Sequence, residues 1–162
     1  MWFIEFIISF LLGVVIYILK LFLEDDDPKP IPIKDLRIRK SELVGMVVRW
    51  SHENLGYPDT RYPTVTTSYT IHKKHMGVYR SHKHEVVVYV NNHPTVQELI
   101  NTTIHEYIHA RQRDKSFGEN YERYNETLGY DKNPYEIECR DISNQNTNRC
   151  LMELQQHHHL TR

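Results

Sequence analysis

The sequence predicts an α+β fold with a small, mostly antiparallel sheet, preceded by one N-terminal transmembrane helix. Three observations predict it. The run Glu85-Val86-Val87-Val88-Tyr89-Val90 has the β-branched and aromatic content of a strand. From Thr95 onward, Val96, Leu99, Ile100, Ile104 and Ile108 recur at helical spacing. Residues Trp2 to Leu23 are apolar apart from Glu5, Ser9, Gly13 and Lys20.

At about 1.5 Å per residue, that first run can span a hydrocarbon core of ~30 Å. Glu5 and Lys20 lie near its ends, and Trp2 and Tyr17 suit the interface. No Lys or Arg precedes Lys20, and Leu21-Phe22-Leu23-Glu24 is a poor cleavage site. Residues 1–23 are therefore expected to be an uncleaved anchor, with the bilayer as a partner through residues 2–23. Lys20, Lys29, Lys34, Arg37, Arg39 and Lys40 all follow the run. That bias predicts a single-pass membrane protein whose C-terminal domain faces the cytoplasm. Cys139 and Cys150 agree: on one helix they stand roughly 16 Å apart, too far for a disulfide.

Residues 24–34, acidic and then proline-rich, read as an extended linker. Residues 35–162 form one domain of ordinary small size. The net charge of −1, with 25% charged residues, gives nucleic-acid binding no support. Ser41 is expected to cap an amphipathic helix through Leu43, Val47, Val48 and Trp50, ending near Gly56. Strands are expected over 64–72, 77–81 and 85–90. Asn91-Asn92-His93-Pro94 turns the chain into the next helix, which Thr95 and Glu98 open as a capping box. A tyrosine-rich connection runs from Tyr121 to Tyr130. Asn133 and Pro134 then start a helix reaching about Leu154.

The capped helix carries His105-Glu106-Tyr107-Ile108-His109, an H-E-x-x-H motif. Residues four apart share a helical face, so His105 and His109 can present two imidazoles to one metal ion. Glu106 is rotated by about 100°. It falls beside that metal rather than on it, where it can serve a water as general base. Ile100, Ile104 and Ile108 run alongside, so the histidines border a buried face. A third protein ligand is needed downstream. No histidine follows at the spacing of H-E-x-x-H-x-x-G-x-x-H. The helix from Pro134 offers Glu136 and Glu138 instead. Two histidines and one glutamate with an open fourth position is a catalytic zinc set. The two glutamates lie about 200° apart, so one metal cannot take both. Glu136 is preferred because Leu154 lies on its side. Against it, Glu136 stands where a glutamate often caps a helix, so Glu138 is the alternative.

H-E-x-x-H followed by an E-x-E-small-x helix resembles the gluzincin zinc metallopeptidases, especially the minimal ones. It is similar also to the membrane-anchored CAAX-prenyl-protease class, whose glutamate helix reads E-x-x-A-D. Aligned so, Glu136 takes the ligand position and Cys139 the small-residue position. Arg140 stands where the family carries aspartate, with Asp141 one residue later. The resemblance covers about a quarter of the chain. It implies a zincin-like domain, a peptide or protein substrate, and an edge strand that holds the peptide by strand addition. The 85–90 strand is the candidate edge.

The function expected is zinc-dependent hydrolysis of peptide bonds by a zinc-activated water, with Glu106 as general base and Zn2+ held by His105, His109 and Glu136. One alternative is a non-catalytic, metal-stabilised or metal-free zincin-like module that binds proteins from a membrane tether. Another is a DNA-associated metalloprotease of the SprT-like kind, disfavoured by the anchor and the neutral charge. His82 and His84 suit a polar sheet face better than a second metal. His157-His158-His159 suits a solvated tail. Tyr121, Tyr124 and Tyr130 are candidates for a phenol that stabilises an oxyanion, against a default of packing. Gln112 can reach the rim of the site.

Overall fold

The computed structural model describes residues 14–15, 29–57, 59–113 and 117–161. Helix α1, Lys40–Leu55, buries Leu43, Val44, Val47 and Val48. It starts one residue before Ser41, after Arg39, and has no side-chain cap. Three strands follow: β1 Thr64–Ser68, β2 Gly77–Arg80 and β3 Glu85–Tyr89. Then come α2, Val96–Arg111, α3, Phe117–Leu128, and α4, Pro134–His158.

The sheet has the order β1-β3-β2, with β1 parallel and β2 antiparallel to β3. It is mixed, which corrects the mostly antiparallel expectation. The reason lies in residues 69–76, which carry the chain across the end of β3. That crossing sets β2 on the far side of β3 and leaves β1 running with it. Asn92 holds the crossing, donating to the carbonyls of His72 at 2.7 Å and His75 at 2.9 Å. Expected β pairing past Ser68 is lost to this turn. The central strand, β3, buries Val86, Val87 and Val88. It has a neighbour on both sides, so it cannot be the edge strand; β1 and β2 are the edges.

Thr95 caps α2 by accepting from the Glu98 N–H at 3.2 Å. One face of α2 covers the sheet and the others meet α1 and α4. The core joins Leu99, Ile100, Ile104 and Ile108 to Val86, Val88, Leu43 and Cys150. Residues 29–36 lie against the start of α2: Ile33 N–H bonds Pro94 O at 2.9 Å, and Ile31 and Ile33 pack on the core. At the other terminus α4 ends at His159, in the left-handed region at φ 46°. The chain does not trail away, because Leu160 is buried and its carbonyl accepts from Arg37 N–H at 2.8 Å. His157 and His158 are exposed on the last turn of α4.

The expected transmembrane helix and single-pass membrane localisation, with the domain facing the cytoplasm, are corrected. No helix among the described residues is long and apolar enough to cross a membrane. A span needs about 20 consecutive apolar residues. The longest described helix, α4, carries Glu136, Glu138, Arg140, Asp141, Arg149 and Glu153 along its length. Of residues 1–23 only Val14 and Val15 are described, as helical and exposed; the rest of that expected span lies outside the described residues.

Candidate metal centre

One helix supplies the two imidazoles and another brings a carboxylate to them. His105 and His109, one turn apart on α2, have ring centroids 5.0 Å apart. Glu136 on α4 meets both: its Oε2 lies 3.1 Å from His105 Nε2 and its Oε1 3.2 Å from His109 Nε2. Ligand atoms around a tetrahedral zinc with bonds of 2.0–2.1 Å stand about 3.3 Å apart. Each histidine nitrogen thus stands from a Glu136 oxygen at the separation of two ligands of one ion. Glu136 is 2% exposed, and Oε2 is buried with no hydrogen-bond partner among the described residues. An orphaned carboxylate oxygen facing an imidazole lone pair is costly unless a cation fills the space between. The donor set therefore fits a divalent zinc-like ion.

Glu136 is free for this because Asn133 caps α4 by itself, accepting from the Tyr135 N–H at 3.1 Å. Burial alone would raise the Glu136 pKa. The two imidazoles that face it and the Tyr121 hydroxyl outweigh it, so the carboxyl is held well below the usual range. Tyr121 donates to Oε1 at 2.6 Å.

Glu138 is engaged elsewhere. It pairs with Arg111 at the end of α2 and accepts from Gln112 Nε2 at 2.8 Å. That same Nε2 also donates to Tyr135 O, so Gln112 Oε1 is the atom facing His109 Nδ1, at 3.0 Å. An amide oxygen accepts only, which makes Nδ1 the protonated nitrogen and leaves Nε2 a free lone pair toward Glu136. The chain Arg111–Glu138–Gln112–His109 does the orienting work that a carboxylate commonly does for a metal-binding histidine.

Cys139 offers a rival donor. The side-chain donor atoms of His105, His109 and Cys139 lie within 4.8 Å of one another. Its sulfur, however, sits 3.4 Å from His109 Nδ1, on the side that Gln112 occupies. Burial, reinforced by nearby carboxylates, pushes the thiol pKa far up and disfavours the thiolate a metal needs. Glu136 is the donor that meets both Nε2 atoms.

Glu106 lies beside this group, 7% exposed. Burial raises its pKa, partly offset by His109 and His105. It lines a cavity of about 350 Å3 with His105, His109, Glu136, Gly77 and Tyr130. The far wall is the free edge of β2. Met76 O accepts from Tyr89 N–H at 3.0 Å, so alternate residues turn to β3 and the backbone groups of Gly77 and Tyr79 turn outward. Tyr79 N–H bonds the Glu106 carboxylate.

The three candidate tyrosines have separate positions. Tyr121 bonds Glu136, Tyr130 borders the cavity at 52% exposure, and Tyr124 packs near the Tyr135 ring. Burial, the hydrogen-bonding approach of the Glu136 carboxylate and its charge raise the Tyr130 phenol, so it remains a donor. His82 and His84 do not pair: His82 is exposed, and His84 is buried between Tyr79 OH and Arg61 O, each at 2.8 Å. Sequence reasoning missed the β2 edge. A glycine opening a strand pattern, which often marks close backbone approach, was its one signal. No family model matches the chain, and no curated protein and no solved structure matches it.

Proposed function

We propose that the chain is a zinc-dependent metallopeptidase of the gluzincin kind. The observation that carries this reading is the meeting of His105 and His109 Nε2 with the two oxygens of a buried Glu136 carboxylate, of which Oε2 has no hydrogen-bond partner among the described residues, with Glu106 alongside. A purely structural zinc site has no use for Glu106 and usually closes its fourth position with protein. Zinc, when bound by His105, His109 and Glu136, supplies a Lewis acid that polarises a carbonyl and acidifies water.

The remaining work belongs to side chains and backbone of this chain. The outward N–H and carbonyl of Gly77 and the Tyr79 carbonyl hydrogen-bond an extended peptide as an added strand, while the Tyr79 N–H holds Glu106. Glu106 accepts the proton of the attacking water and passes it to the leaving amine. Its raised pKa moves this base toward neutrality, which favours both transfers. Tyr130, protonated at the mouth, donates to the oxygen on which charge develops.

Glu106→Gln tests the reading. It keeps size and polarity but cannot take a proton. Zinc content and fold should stay at the wild-type level while peptide hydrolysis falls by about 10²–10⁴-fold. Wild-type turnover by the glutamine variant would remove Glu106 from the chemistry.

A further inference from the structure

The cavity continues beyond Glu106. A second cavity of about 500 Å3 extends past His105 toward the N-terminal part of α2 and shares His75, Gly77, His105, Glu106 and Tyr130 with the first. Together they form one groove along the free edge of β2, and its two ends differ in chemistry. The His109 end is aromatic: the Phe117 ring lies 6.0 Å from His109 and 6.1 Å from Tyr79. The His105 end is cationic, lined by Lys74 and Arg140 together with the neutral Asn101 and Thr102.

Among the described residues Arg80, Arg111 and Arg149 each have a carboxylate partner, whereas Lys74 and Arg140 have none. Arg140 is held without being neutralised. Its guanidinium donates to the Asp131 carbonyl and lies 5.8 Å from the Tyr130 ring centroid. Arg140 is also the residue that stands in place of the aspartate in the E-x-x-A-D pattern. Gln112 orients His109 here, which leaves that position free to present a cation to the groove.

We propose that the Lys74–Arg140 end binds a carboxylate of an extended peptide, so that the substrate is an acidic peptide with an apolar or aromatic residue toward His109. This rests on the metallopeptidase reading. Guanidinium and ammonium at one end of a narrow groove select negative charge, and the guanidinium fork suits a carboxylate. Antiparallel addition, the slightly more stable pairing, sets the peptide C-terminus at the start of β2, where both cations lie. The carboxylate then comes from an acidic side chain beyond the scissile bond or from the free C-terminus.

Full-length Glu106→Gln protein, which leaves bound peptide intact, tests this by direct binding. The probes are three peptide pools with Glu, Gln or Lys at one fixed position in an apolar background, each as free acid and as C-terminal amide. The Glu free-acid pool should bind about tenfold more tightly than the Lys amide pool, the effect of one or two exposed ion pairs, and the difference should shrink with added salt. A preference that survives amidation assigns the side chain; one lost on amidation assigns the C-terminus. Lys74→Glu with Arg140→Glu should reverse the preference, and Lys74→Glu alone, on an exposed turn, should weaken it even if the Arg140 change disturbs α4. Equal binding of all pools, binding of none, or an unchanged preference in a folded double variant overturns the proposal. Wild-type zinc protein is assayed in parallel. Charge-selective binding without cleavage would sink the peptidase reading alone, and cleavage without charge selectivity would sink this one alone.

Discussion

At the scale of single residues, one absent side chain lets β2 approach Glu106. A Cβ at Gly77 would stand 2.7 Å from Glu106 Cγ and 2.9 Å from Thr102 Cγ2. Thr102 sits on the regular part of α2 and cannot withdraw, so the glutamate side chain must. Displacement of a catalytic group by about 1 Å costs on the order of 10² in rate. Gly77→Ala is therefore expected to keep its metal and its fold while kcat falls by about that factor. Steady-state kinetics beside metal analysis would check it, and an unchanged kcat would show that β2 does not hold Glu106. The same scale explains why Glu136, not Glu138, joins the histidines. Both flank one helix face, and only the distant Arg111 and Gln112, which claim Glu138, separate them.

Among the elements, α4 carries the third candidate ligand, and its first turn depends on Asn133. That side chain accepts from the Tyr135 N–H and also donates to Tyr121 O at 3.2 Å, so one buried amide joins α3 to α4. Asn133→Ala should cost about 1–2 kcal/mol through the lost cap and the lost link to Tyr121 O. A urea denaturation midpoint matching wild type would deny it that role. Helices α2 and α4 were legible in the sequence because their signals are local: a capping box, an Asn-Pro start and a four-residue histidine spacing. Those same signals carry His105, Glu106 and His109, which share one helix. Helix α3 was read as a connection, although Phe117, Tyr121, Tyr124 and Leu128 recur at helical spacing among polar residues. Strand order was not legible at all. It depends on where residues 69–76 cross, and that is fixed by Asn92, some twenty residues along the chain. The edge strand was misassigned for the same reason: hydrophobic β3 is the clearest strand because it is the central one.

For the whole molecule, His93 links stability to pH. It is 2% exposed, and neither ring nitrogen has a hydrogen-bond partner among the described residues. Burial, partly offset by the nearby Tyr89 backbone and aided by Lys40, lowers its pKa from 6.5 to about 4. The folded protein therefore keeps His93 neutral where the unfolded chain protonates it. Its contribution is fully present above pH 6.5 and is lost as pH falls toward about 4. The loss is of order 3 kcal/mol. His93→Leu should flatten the stability profile across that window, measured by denaturant titration at several pH values; an unchanged slope would assign it to other groups. The central claim, a zinc site closed by Glu136, is tested most directly by metal analysis of the full-length chain purified without an added histidine tag. One equivalent of zinc is expected in wild type and in Glu138→Gln, and its loss in Glu136→Gln. A Glu136→Gln protein that keeps its zinc while Glu138→Gln loses it would make Glu138 the third ligand instead.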